Sequence, residues 1–185
     1  MNAKTQSLPG HLRGYTLVEM LIVLAIVAIL ASLAAPFLIA VAQDNRLATQ
    51  INLLVGTLQF ARTEAIKRGT TITVCRSDDG TICGSNWKNG WIILSGATVI
   101  KSYPALSGNN TLRYNLSGNT AQDRILFDSQ GFSLNYTGTW TLCDNRGTSH
   151  AHGLNIANTG RVIKSRDTNG NGLLEDVNGN DLSCP

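Results

Sequence analysis

The sequence predicts an α+β chain: one long N-terminal helix, apolar enough in its first half to cross a membrane, packed through its second half on an antiparallel β domain. Three observations predict it. Across residues 20–42 only Ser32 and Pro36 interrupt Ala, Val, Ile, Leu, Met and Phe, a run of 23 residues, and about 20 such residues cross a bilayer core as a helix. Leu47, Ile51, Leu54, Leu58, Ala61 and Ala65 then recur at steps of three and four, the stripe of an amphipathic helix. Beyond Gly69 come short β-branched segments separated by Gly and Asn, the pattern of antiparallel strands.

Taken in order, residues 1–14 form a basic leader with Lys4, His11 and Arg13, and residues 15–42 form the transmembrane helix. One acid, Glu19, stands at its head. A charge at bilayer depth costs a few kcal/mol, so Glu19 calls for a partner or a function. Pro36 lacks an N–H and clashes with the preceding turn, which kinks or loosens the helix there. A secretory signal peptide has a shorter apolar core without an acid, and here would have to be cut near Ser32-Leu33-Ala34. A plain single-span anchor explains the length of the run but not Gly14, Glu19 and Pro36 together.

Residues 43–69 continue the helix along the packing stripe, and Gly69 after Lys67 and Arg68 is the stop. Residues 70–185 form the β-rich domain. Strands are predicted at 70–76, Trp91–Ser95, Thr98–Tyr103, Thr111–Leu116, Arg124–Phe127, 132–135, 139–143, 154–157 and 161–165. Gly96-Ala97 turns the second into the third as a hairpin. The tail after Asp167 is rich in Asn, Gly and Asp and reads as a loop.

The net charge of +3 falls once the leader is removed, since Lys4 and Arg13 go with it and 13 basic side chains face 12 acidic ones. That balance gives no general case for nucleic acid, only for a local patch. All four cysteines, Cys75, Cys83, Cys143 and Cys184, follow the membrane segment. Lys4 and Arg13 ahead of the span hold the N-terminus in the cytoplasm, so the cysteines meet an oxidising periplasm. Of the three connectivities open to four cysteines, Cys75–Cys83, closing a short loop, and Cys143–Cys184, tying down the tail, are favoured.

The stretch Gly14-Tyr15-Thr16-Leu17-Val18-Glu19-Met20, with Pro36 beyond it, resembles the class III signal sequence of type IV pilins and type II secretion pseudopilins. The resemblance implies cleavage by a prepilin peptidase after Gly14 and N-methylation of Tyr15, where the family usually has Phe. It implies that Glu19 pairs with the methylated amine of Tyr15 on a neighbouring subunit, and that Pro36 is the proline of the assembly helix. Residues 58–69, Thr73-Val74-Cys75, 87–94 (WKNGWIIL), 125–131 (ILFDSQG) and Asn158-Thr159-Gly160-Arg161 look like the GspH/FimT group of minor pilins and pseudopilins. That group implies a type IV pilin-like fold and a non-catalytic role. The expected partners are the prepilin peptidase, other minor pilins, the major pilin or pseudopilin, and the inner membrane. The chain is expected to cross that membrane once, with its C-terminal domain periplasmic, and then to enter a pilus or pseudopilus filament.

FimT-like members include DNA binders of natural transformation that use a C-terminal Gly-Arg-x-Arg motif. Here Gly160 and Arg161 match, Ile163 stands where the second Arg belongs, and Lys164, Arg166 and Arg146 are the candidates to complete a patch for double-stranded DNA. Cations at an exposed strand end suit phosphate contact; Asp167, Glu175, Asp176 and Asp181 oppose it. The plainer reading is an edge strand protected by Lys and Arg.

Asp167-Thr168-Asn169-Gly170-Asn171-Gly172 matches the front half of a calcium loop and makes Asp167, Asn169 and Asn171 candidate ligands. The twelfth position is Asn178 instead of a bidentate Glu. A zinc set of Cys143, His150, His152 and Cys184 has no recognised spacing. No Gly-x-Ser-x-Gly elbow, His-Glu-x-x-His helix or phosphate loop is present, so no enzyme activity and no obligatory cofactor are expected. Two roles follow: a minor pilin of a type IV pilus, with DNA uptake as its candidate extension, and a structural minor pseudopilin of a type II secretion system.

Overall fold

The computed structural model describes residues 14–118 and 120–184. Of the leader, only Gly14 falls among them. The chain divides into two units, Met1–Val41 and Ala42–Pro185. Helix α1, Leu17–Arg68, begins in the first and ends in the second, and continues through Pro36.

In the first unit α1 opens on Thr16, whose Oγ1 accepts a hydrogen bond from the Glu19 amide at 3.2 Å. That bond satisfies one of the amides a helix start leaves unpaired. Large apolar side chains from Leu17 to Val41 are exposed all round the helix.

In the second unit the helix buries one stripe: Leu47, Ile51, Leu54, Leu58, Ala61 and Ala65. It ends as the sequence requires. Gly69 has φ +61, its amide donates to the Ile66 carbonyl, and the Thr70 amide donates to the Ala65 carbonyl. This paired closure needs a left-handed residue just past the end, which glycine adopts without strain.

Among the described residues eight strands follow: β1 Ile72–Arg76, β2 Trp91–Ser95, β3 Thr98–Tyr103, β4 Thr111–Leu116, β5 Arg124–Phe127, β6 Gly138–Cys143, β7 His152–Ile156 and β8 Val162–Lys164. They form two antiparallel sheets in the orders β3-β2-β1-β5 and β4-β6-β7-β8. In the first, Val74 lies between Ile93 and Ile125; in the second, Trp140 lies between Tyr114 and Leu154. These residues and the helix stripe join in one core.

Two polar groups in that core are accounted for. Thr57, fully buried, accepts from the Trp91 indole N–H at 3.2 Å, and Trp87 donates to the Gln122 carbonyl at 2.8 Å. Trp140 stacks on Tyr114 at 4.5 Å and meets Trp87 edge-on at 4.3 Å, geometries the ring quadrupoles favour.

One predicted strand is absent. Residues 132–135 form a turn, because Asp128 Oδ1 accepts from the Gln130 and Phe132 amides, Ser133 Oγ donates to the Leu126 carbonyl, and Asn135 has φ 65. Side-chain bonds to the backbone override the β-forming composition there. The strand predicted at 161–165 shortens to β8: the Arg161 carbonyl closes a turn on the Ala157 amide, and the Ser165 amide donates to the Gly153 carbonyl.

The tail folds back on the outer face of the second sheet. Leu182 joins Cys143 and Ala151 in a small second core, and the Val177 amide donates to Thr139 Oγ1. Gly153 makes room for it, since a Cβ there would come 2.7 Å from Leu182 Cδ1.

Candidate functional site

Three groups of sequence-predicted residues lie in different places. At the N-terminus, Gly14 precedes α1, Tyr15 is exposed, and the Glu19 side chain is exposed one turn into the helix. Among the described residues no cation pairs with Glu19. An unburied apolar helix half with one unpaired acid is unsuited to water along its length.

The cysteines are joined as Cys75–Cys83 and Cys143–Cys184, with sequence separations of 8 and 41. The first bond closes a loop that Asp78 and Asp79 organise. Asp79 Oδ1 accepts from the Thr81 and Ile82 amides at 2.8 and 3.1 Å, and these bonds hold its carboxyl down to about 2. Asp78 accepts from the Asn89 side-chain amide at 2.7 Å and the Ser85 amide at 2.8 Å, which also lowers its pKa. The second bond clasps the tail over the second sheet.

Arg161, Lys164 and Arg166 line β8 and its two ends, all exposed. None has an ion-pair partner among the described residues. Strand alternation puts Lys164 on the face of Val162 and Ile163 on the opposite one. The structure does not add Arg146 as a free charge. Its guanidinium bonds Asp144 at 2.8 Å and Asp44 of α1 at 2.7 Å. Burial raises the Asp144 pKa, and the Arg146 side chain and amide more than offset that, leaving it lowered. His152 is shifted down by burial and then by Lys164.

The acids that oppose a basic β8 are turned into the tail. Asp167 accepts from the Gly170 and Gly172 amides, Glu175 from those of Thr168 and Asn169, Asp176 from those of Asn178 and Asn180, and Asp181 from the Asn171 side chain. The same bonds occupy the candidate calcium ligands. Asn169 Oδ1 accepts from the Asn171 amide and Asn171 Oδ1 from the Leu173 amide. Among the described residues, no three His, Cys, Asp or Glu side chains are grouped to hold a metal. Cys143 and Cys184 are bonded to each other, not arranged beside His150 and His152 as metal ligands.

Arg62 is the residue that sequence reasoning missed. From α1 its Nε donates to the Gly131 carbonyl at 3.0 Å, and it lies 3.2 Å from where a Cβ on Gly160 would stand. It ties the turn before Phe132 to the helix. The signal available was indirect: Gly131 and Gly160 mark a close approach of backbones.

An apolar, unburied N-terminal helix half, continuous with a helix stripe that carries two antiparallel sheets, defines a pilin-like subunit. Comparison with known proteins agrees. The family model for type II transport protein GspH matches residues 50–160, and that for the prokaryotic N-terminal methylation motif matches residues 12–35. The chain belongs to the GspH family.

Two crystal forms of the type IV minor pilin FimU from Pseudomonas aeruginosa (strain PAO1) share its fold. One matches at 21% identity over 67% of this chain and 91% of FimU, with TM-score 0.55; the other at 21% over 65% and 93%, with TM-score 0.52. No curated protein matches the sequence significantly. Family and motif together make the chain a minor pilin or pseudopilin, a structural and not an enzymatic class. Its motif implies processing by a prepilin peptidase, and its apolar helix fits a membrane-anchored filament component.

Proposed function

We propose that the chain is cut after Gly14, methylated at Tyr15, held in the inner membrane with residues 43–185 on the periplasmic side, and built into a type IV pilus through α1. The observation that carries this reading is the helix half from Leu17 to Val41, apolar and unburied. Such a surface is stable only in lipid or against other apolar helices. Glu19 then alternates between two states. In the membrane it is an unpaired acid, at a cost of about 2.5–3.5 kcal/mol at full bilayer depth. In the filament the amine of a neighbouring Tyr15 pairs with it, which sets the axial register.

Mass spectrometry of the filament-borne chain tests the processing step: the expected N-terminus is methylated Tyr15, and an uncut chain in filaments would overturn it. The description of the matching family favours a second machine, a type II secretion pseudopilus. Deletion separates the two: loss of twitching with normal secretion supports the pilus, and the reverse supports the secretion system.

A DNA-uptake role is supported by Lys164 on the edge strand β8 and Arg161 and Arg166 at its ends, all exposed and without an ion-pair partner among the described residues. Three phosphate contacts release about three counterions, so log affinity falls against log salt with a slope near −2.7. Binding of duplex DNA by the full chain across a salt series, compared with the triple change to Gln, tests it. Binding that survives the triple change, or no binding at low salt, removes DNA from the account.

A further inference from the structure

Arg46 lies four residues beyond Ala42, the last residue of the apolar run. At 1.5 Å of helix rise per residue that is about 6 Å further along α1. The headgroup layer on each side of a bilayer's hydrocarbon core is about 5–8 Å deep. Arg46 is exposed and makes no ion pair among the described residues. Its side chain is placed by the loop between β3 and β4. Gly108, at φ +77, passes so close that a Cβ there would press on Arg46 Nη1 and come 3.3 Å from its Cζ. The loop is tied to the helix on both sides of Gly108: Gln50 Nε2 donates to the Ser107 carbonyl at 3.0 Å, and Asn110 Nδ2 donates to Gln50 Oε1 at 2.6 Å. Gln50 and Asn110 are both buried.

Helix and loop enclose a cavity of about 260 Å³, lined by Gln43, Arg46, Gly108, Asn109, Asn110 and Asn145. That is below the size that takes drug-sized ligands, so a compact group fits. A neighbouring cavity of about 340 Å³ shares Gly108, Asn109 and Asn110 and is bordered by Lys88, also exposed. Two cations thus flank one turn. Acids stand nearby and count against them. Asp144 lines the first cavity, and Asp44 follows Gln43 on the helix. Arg146 bonds both acids at 2.8 and 2.7 Å. Three cations against two acids leave the neighbourhood positive, and His150, 3.9 Å from Asp44, adds to it when protonated. Neutral donors are also in reserve: the Gly108 and Asn109 amides have no acceptor among the described residues. Cations with spare amides in a polar cavity suit a phosphate group.

We propose that the cavity between α1 and the 107–110 loop holds the phosphate of a membrane phospholipid headgroup, with Arg46 as its main contact and Lys88 on the far side of the turn. The inference rests on the reading that the apolar half of α1 lies in the membrane. Given that reading, lipid is favoured over a dissolved anion, because the cavity opens at the depth where headgroup phosphates are concentrated and anionic lipids attract cations. The contact sets how far the domain stands from the bilayer. It is made in the membrane pool and released when the chain passes into a filament.

The test uses the full chain in phosphatidylcholine vesicles that carry phosphatidylglycerol with a photoreactive diazirine on its headgroup. Adducts are located by peptide mapping. The expected result is adducts within 107–110 as well as 43–46, reduced about fivefold by Arg46→Gln, the effect of one cation at an anionic surface. Lys101→Gln, which removes an exposed cation lying over Phe60, should leave them unchanged. Absence of adducts from 107–110, or adducts indifferent to Arg46→Gln, overturns the proposal. So does their loss to inorganic phosphate at matched ionic strength, which assigns the cavity to a dissolved anion, or to duplex DNA, which assigns it to nucleic acid. Tryptophan fluorescence checks that each variant is folded. Flotation with the vesicles is scored in the same samples. A chain that floats without a 107–110 adduct refutes this site and leaves the membrane reading standing; a chain that does not float refutes the membrane reading, and this site with it.

Discussion

Replacing Gly160 by alanine puts a methyl group where the structure has none to spare. The residue has φ +72, and its Cβ would press on the Gly131 carbonyl oxygen and lie 3.2 Å from Arg62 Nε. The left-handed backbone costs an L-residue about 1–2 kcal/mol. Moving the Gly131 carbonyl also weakens the bond from Arg62, and a bond from a charged donor is worth about 1.5–3 kcal/mol. Some relaxation is available at a surface turn, so the expected loss is about 2–4 kcal/mol, which lowers Tm by roughly 5–15 °C for a chain of this size. Gly56 supplies the internal control. It sits within α1 with nothing within 4 Å of a built Cβ, and alanine is preferred there by about 0.8–1 kcal/mol, so Gly56→Ala raises Tm by about 2–4 °C. The assay is thermal unfolding of the full chain in detergent, unreduced, followed by the fluorescence of Trp87, Trp91 and Trp140, all buried. A Gly160→Ala midpoint within a degree of wild type, or a lowered Gly56→Ala midpoint, would refute the geometric reasoning.

Other perturbations follow from the same structure. Changing both Cys143 and Cys184 to Ser opens a closure with separation 41 and should cost about 3–4 kcal/mol in the chain-entropy model, with denaturant midpoints as the readout; the Cys75–Cys83 pair, separated by only 8, should cost less. Asp79 has a lowered folded pKa of about 2 because of the Thr81 and Ile82 amides. Its contribution is therefore full above the unfolded value of about 3.9 and lost as pH falls towards 2, so Asp79→Asn flattens the acid limb of a midpoint-against-pH curve between those values. Calcium at about 1 mM, the range of extracellular modules, should leave the midpoint unchanged, because the Asp167 oxygens accept the Gly170 and Gly172 amides; a raised midpoint would show the loop rearranging around the ion.

Much of this architecture is legible in the sequence because its signals are local. The 47–65 stripe repeats with the helix, Gly69 sits where a left-handed stop is needed, and the Gly96-Ala97 turn lies between two segments that pair as read. What escapes is set by partners far away in the chain. Arg146 reads as a free cation until folding brings Asp44 to it across 102 residues. Arg62 reads as one more polar helix residue until Gly131, 69 positions on, takes its Nε. Segment 132–135 has the composition of a strand, yet one Asp128 oxygen and the Ser133 hydroxyl hold it as a turn. The tail shows the same limit: four acids are visible in the sequence, but not that backbone and side-chain amides of the tail itself occupy their oxygens.

In the proposed filament α1 holds the chain in place and Glu19 finds its partner. The most direct measurement is the ratio of filament-borne to membrane-borne chain for Glu19→Ala against wild type, in cells that shed filaments by shearing. The expected result is an unchanged membrane pool and a depleted filament pool, about tenfold for each 1.4 kcal/mol of pairing removed. An unchanged ratio would contradict it, and would leave the apolar half of α1 as a membrane anchor alone.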